Sequence, residues 1–101
     1  MILYSITFNV ENAIHEKWLH WMKTVQIPPM LLSGLIADYK LLRMLNEHDN
    51  GGTTYSCQFF MNDMTDLEQY ENQYEPQLMA EVDKGYKGQY VMFKTLLEVL
   101  V

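Results

Sequence analysis

"LLRMLNEHDNGGTTYSCQFF", residues 41–60, decides the fold. Two strand-like runs, 35–47 and 53–61, flank "HDNGG" at 48–52. Asn50, Gly51 and Gly52 supply the positive φ values that a tight hairpin needs, so the runs are predicted to pair antiparallel. Upstream, residues 2–10 alternate, with Ile2, Tyr4, Ile6, Phe8 and Val10 on one side and Ser5, Thr7 and Asn9 on the other. That period of two is a strand. Between this strand and the hairpin a helix is expected from about Asn12, a good cap, to the "IPP" at 27–29. Pro28 and Pro29 end or kink it, because neither supplies an N–H and each restricts its predecessor. "MLLSG" adds a further turn before Gly34 closes it.

Downstream, "TDLE" at 65–68 reads as a capping box that opens a second helix. Pro76 suits the first turn of a renewed helical segment, and Gly85 and Gly88 bracket its end. Residues 89–100, "QYVMFKTLLEVL", form the last strand. The order is βαββαβ, without repeat or linker, in one domain over residues 1–101. Right-handed crossovers put both helices on one face of a four-stranded antiparallel sheet. The expected class is therefore α+β, in the ferredoxin-like arrangement.

The composition narrows the partners. The chain is 49% apolar and 20% charged, which is globular rather than disordered. Its net charge is −6, and its seven basic residues are scattered singly. They build no positive stripe of the kind that nucleic acid or anionic lipid requires, so neither partner is expected. The longest membrane-like stretch, "PPMLLSGLIA" at 28–37, is well short of the roughly 20 residues that span a bilayer. "MILYSITFNV" lacks a basic leader region and reads as a strand, so no signal peptide is expected and the location is cytoplasmic. Cys57 is the single cysteine, which excludes an internal disulfide and a thiolate zinc site; it is expected buried and reduced.

The outer strands are too apolar for a sheet with one wet face. In the last strand Val91, Phe93 and Leu97 share one parity while Tyr90, Met92 and Leu96 share the other. In the second, Leu41 and Leu45 lie with Arg43, and Leu42 and Met44 lie opposite. Leu3 interrupts the polar side of the first strand. An apolar patch of that extent marks an interface, and the economical cover is a second copy packed sheet against sheet.

"HEKWLHWM", residues 15–22, sets two histidines and two tryptophans on the first helix. At about 100° per residue, His15 falls in the arc of Trp18, Leu19, Met22 and Val25, whereas His20 turns to the wet side with Glu16 and Lys17. The two imidazoles diverge, and no metal site is expected. His15 stands at the edge of the layer between helix and sheet, either as a hydrogen-bonded core-edge group or as a proton acceptor. Arg43 interrupts an apolar strand, either as a snorkelled cation or as a fork for a carboxylate or phosphate. Tyr55, Gln58 and Lys94 lie on strands that could complete a polar pocket. Trp18 would wall it, although with Trp21, Tyr70 and Tyr74 it is first of all core and interface mass.

The segments "IHEKWLHWMK", "IPPMLLSG", "RMLNEHDNGGTTYSCQF" and "FKTLLEV" resemble a bacterial family termed domain of unknown function 4286, and the resemblance covers nearly the whole chain. Its most specific pieces are the HExWLxWM helix and the GGxTYSxQ strand. It implies a dimeric α+β barrel formed by two ferredoxin-like sheets face to face, and it implies no established activity. A histidine often precedes the "IP" in that family; here the position is Gln26. His15 and Arg43 match the pattern.

Two functions fit these residues. One is a homodimeric barrel that binds a small apolar or anionic metabolite between helix 1 and the sheet, without a cofactor. The other is a cofactor-independent monooxygenase or isomerase with His15 as proton acceptor and Arg43 or Tyr55 steadying an enolate-like oxygen. Haem, with His15 as its ligand, is a subsidiary case. RNA-recognition, CxxC metal-carrying and amino-acid-sensing versions of the topology lack their marks here: a basic third strand, paired cysteines and glycine in the first loop.

Overall fold

The computed structural model describes residues 1–46 and 51–101. Four strands form one antiparallel sheet: β1 (Ile2–Glu11), β2 (Asp38–Arg43), β3 (Gly52–Met61) and β4 (Tyr90–Glu98). They are ordered β2-β3-β1-β4. The first connection carries α1 (His15–Trp21), a π turn over Met22–Gln26 and α2 (Ile27–Leu32). The second carries α3 (Met64–Gln73) and α4 (Glu75–Tyr86). This is the ferredoxin-like α+β arrangement expected from the sequence. β2 is shorter than the run 35–47.

The hairpin bears out its glycines for two different reasons. Gly51 has φ +84°, and a Cβ on Gly52 would stand 2.1 Å from Asn9 Oδ1, so one position needs the left-handed region and the other needs room. His48, Asp49 and Asn50 of the expected turn lie outside the described residues. Gly34 (φ +77°) closes α2, as expected; Gly88 (φ +81°) follows α4, while Gly85 sits inside it.

Two caps differ from the sequence reading. Asn12 does not cap the first helix: α1 begins at His15, and Asn12 instead accepts a hydrogen bond from Thr53 Oγ1 at 2.7 Å, tying the β1 exit to β3. The second connection is capped by Asp63 rather than by the "TDLE" box, its carboxylate accepting from the Asp66 N–H at 2.9 Å. Each helical stretch is in two segments, broken near Pro28 and Pro29 and before Pro76 as the prolines predicted. Tyr74 separates α3 from α4, with Pro76 in the first turn of α4 as the missing N–H demands.

The break in the first helix has a subtler form. The Ile27 N–H reaches back to the Met22 carbonyl, five residues away, and the helix runs on into α2 without the donors of Pro28 and Pro29. The wider turn delays the helical phase by about one residue. Val25, expected inward, is 53% exposed, and Ile27, which a regular helix would turn to the wet side, is 3% exposed.

The register defines both sheet faces. Cys57 pairs with Ile6 and Leu41, and Ile6 with Lys94. Tyr4, Ile6, Phe8 and Val10 of β1 and Tyr55, Cys57, Phe59 and Met61 of β3 are buried beneath the helices, packed with Trp18, Met22, Leu67 and Tyr70. The opposite face carries the intervening residues and leaves Val91, Phe93 and Leu97 of β4 exposed along one edge and Leu42 and Met44 along the other. No helix of the described residues is long and apolar enough to cross a membrane.

Candidate functional site

Four of the candidate residues meet where α1 begins. Tyr55, on β3 beneath α1, is 1% exposed, and its hydroxyl lies 2.8 Å from Nδ1 of the half-buried His15. Arg43 is directly opposite Tyr55 in the β2–β3 ladder, and its guanidinium stands 5.6 Å from the Tyr55 ring centre. Trp18, one turn along α1 from His15, packs against Tyr55 and Phe8 with ring centres 5.1 Å apart in each case. Its indole N–H is buried without a hydrogen-bond partner among the described residues.

Burial raises the Tyr55 phenol above its ordinary value, the charge and hydrogen bonding of Arg43 pull it back, and Glu16 pushes it up again. The His15–Tyr55 bond can carry a proton either way, since Nδ1 accepts from the phenol or, protonated, donates to it. A cation, a titratable ring and a buried hydroxyl thus converge at a rim open to solvent through Arg43.

The other candidates lie elsewhere. Gln58 follows Cys57 on β3 and falls on the open sheet face, away from the helices. Lys94 is on the helix-covered face but toward the β4 edge, where its Nζ lies 3.1 Å from Glu75 Oε1. Glu75, in the first turn of α4 and 7% exposed, also accepts from the Tyr4 hydroxyl. Tyr70 packs edge-on against Tyr4. This second polar cluster was not legible as such: nothing in the string links residues 4, 75 and 94, which the sheet register and the α4 start bring together. Gln26 has a structural task, donating from Nε2 to the Leu78 carbonyl at 2.9 Å and so fastening the π turn to α4. The space left beside it, bounded also by Met22, Cys57, Glu75 and Leu78, is about 20 Å³, room for a water rather than a metabolite. Among the described residues no three of His, Cys, Asp and Glu come together as a metal site.

Burial of proton-bearing groups sets a pH dependence. The Cys57 thiol is pushed from 9.0 to about 12 by burial, and Tyr90 from 10.0 to about 12 by burial and its bond to Asp83. Tyr4 and Tyr70 are raised further, again chiefly by burial. Below pH 9 folded and unfolded chains hold these protons alike; above it the unfolded chain releases protons that the folded chain keeps. Stability is thus expected to be level to about pH 9 and to fall from there to pH 12, each group adding up to about 1.4 kcal/mol per pH unit. Urea midpoints measured across that window test this, and a midpoint unchanged to pH 11 would contradict it.

A family model described as "Domain of unknown function (DUF4286)" matches residues 1–100. No curated protein matches the chain. Solved structures of the same fold include a dimeric ferredoxin-like protein from an uncultured marine organism, 10% identical, with TM-score 0.70 over 99% of this chain and 95% of that one. An ethyl tert-butyl ether D family protein from Bacillus halodurans is 13% identical, with TM-score 0.73 over 99% of this chain and 100% of its own. An antibiotic biosynthesis monooxygenase, so described, from Bacillus cereus is 9% identical, with TM-score 0.62 over 99% and 95%. At these identities the likeness is one of fold.

Proposed function

The chain belongs to the DUF4286 family, and from that premise we propose that it acts as a cytoplasmic homodimeric α+β barrel that binds a small anionic metabolite at the His15–Tyr55–Arg43 rim. The observation that carries this is the convergence of the Arg43 guanidinium on the Tyr55 ring, with the Tyr55 hydroxyl already bonded to His15. A carboxylate would take the arginine fork and an N–H or O–H from the pair, while Trp18 backs the phenol. The exposed apolar edges of the sheet and the dimeric state given for the marine ferredoxin-like protein support the homodimer. A reduced cytoplasmic setting suits the buried free thiol of Cys57. No cofactor enters this function.

Calorimetric titration with benzoate, salicylate and short dicarboxylates tests it. Binding of at least one acid is expected, and Arg43→Gln should weaken it about tenfold or more, the worth of a charge-assisted bond. If none of these acids binds, or Arg43→Gln binds them unchanged, the assignment is wrong.

The 2.8 Å His15–Tyr55 bond favours a second reading, a cofactor-independent monooxygenase or isomerase. There His15 removes a proton from the bound acid's neighbouring carbon, and Arg43 and Tyr55 steady the enolate oxygen. Turnover that survives His15→Ala unchanged would exclude it.

A further inference from the structure

The inner side of β2 continues the rim at His15, Tyr55 and Arg43. Strand alternation turns Tyr39, Leu41 and Arg43 to the helix-covered face, where the ladder sets them opposite Phe59, Cys57 and Tyr55. The strand lies at the edge of the sheet, so no further strand flanks this row on its outer side. A cleft of about 510 Å³ opens there, lined by Lys23, Ile27, Tyr39, Lys40 and Leu41. That volume suits a small molecule, in contrast to the space of about 20 Å³ inside the layer.

The π turn brings the helix to this edge. In a regular helix Ile27 would stand about 120° around the axis from His15. The delay of one residue returns it to within about 20°, so His15, Leu19, Lys23 and Ile27 form one row. His15, bonded to Tyr55, starts this row, and Ile27 lines the cleft at its end. The row therefore runs antiparallel to β2, with the half-buried Leu19 and Leu41 between the ends.

Charge marks both ends. Lys23 is exposed, and no carboxylate pairs with it among the described residues. Lys40, of the opposite parity, borders the cleft from the strand edge. With Arg43, three of the seven basic residues of a chain of net charge −6 gather on one edge. Lys23 lies about 12 Å along the helix from His15, and Tyr39 about 13 Å along the strand from Arg43.

We propose that the acid taken by the rim is elongated and doubly charged, an α,ω-dicarboxylate of about ten carbons with one carboxylate on Arg43 and the other on Lys23. Its methylene chain lies along Leu41, with Tyr39 and Ile27 as walls. The length follows from the strand, in which three backbone bonds advance about 3.3 Å, so that about eleven bonds cover the span. A single carboxylate leaves Lys23 without a counter-charge, and a short diacid reaches only one end. The inference rests on the acid-binding reading above and names its ligand class.

Calorimetric titration of the wild-type chain with even-numbered diacids from butanedioate to dodecanedioate, with decanoate as the singly charged control, tests it. Affinity is expected to rise about twofold per methylene and to stop rising near ten carbons. Full burial would give more per methylene, but Tyr39 is 42% exposed and the cleft is open. Lys23→Gln should weaken decanedioate about fivefold, the worth of an exposed ion pair, and decanoate less than about twofold. Because the side chain is exposed, the substitution leaves the fold intact. Benzoate separates the two readings. If benzoate binds but decanedioate binds no tighter than butanedioate, or Lys23→Gln holds decanedioate as wild type does, the extended cleft is overturned and the rim stands. If neither benzoate nor any diacid binds, the rim reading fails and this inference with it.

Discussion

Glu75→Ala is expected to lower folding stability by about 3 kcal/mol, far more than a surface carboxylate would. The Tyr4 hydroxyl bonds to this carboxylate, and its loss removes a hydrogen bond to a charged group, about 1.5–3 kcal/mol, while leaving a buried phenol unpaired. Lys94 contributes less, because its side chain is 41% exposed and water can replace its partner. Lys94→Met should therefore cost under about 1 kcal/mol, and Glu75→Gln, which keeps an acceptor for Tyr4, should fall between. Urea unfolding with unchanged m-values would rank the three. If Glu75→Ala stays within about 1 kcal/mol of wild type, the cluster does not hold α4 to the sheet as its geometry indicates.

Trp18→Ala should cost about 4 kcal/mol, within the range for emptying a large aromatic site in a core. The side chain is fully buried against Phe8 and Tyr55, so its removal leaves a void on two strands at once. Trp18→Phe gives the sharper contrast. It still loses contact area, but it also removes the buried indole N–H that has no partner among the described residues. Relief of that unpaired donor, about 1–3 kcal/mol, offsets part of the void, so the phenylalanine variant should lose less than half of what the alanine variant loses. Equal losses in the two would mean that the indole N–H is in fact satisfied. Because Trp18 flanks the Tyr55 phenol, the phenylalanine variant is also the one in which to measure acid binding.

Much of this molecule is written in local pattern. The alternation of residues 2–10, the glycines of the hairpin and Pro76 each state a backbone requirement within a few residues. Strand pairing and element order follow from them. The apolar parity of the outer strands likewise marks an uncovered face without reference to register. Less local matters went astray for definite reasons. A helical wheel assumes a constant turn, and the π turn at Met22–Gln26 breaks that assumption, which is why Val25 faces out and Ile27 in. Capping statistics favoured Asn12 and the "TDLE" box, but the chain needed Asn12 to hold Thr53 and used Asp63 instead.

By itself the sequence determined the α+β class, the order of elements, the two faces of the sheet and the membership of His15 in the inward arc, because all of these follow from periodicity and turn chemistry. Only the tertiary structure decided which polar groups meet. It brought Arg43 beside Tyr55 and Tyr55 onto His15, turned Gln58 to the far face, and gave Glu75 to both Lys94 and Tyr4. Those contacts join residues 12 to 71 positions apart, and the distances between them are fixed by strand register and helix placement, which no local run of residues encodes.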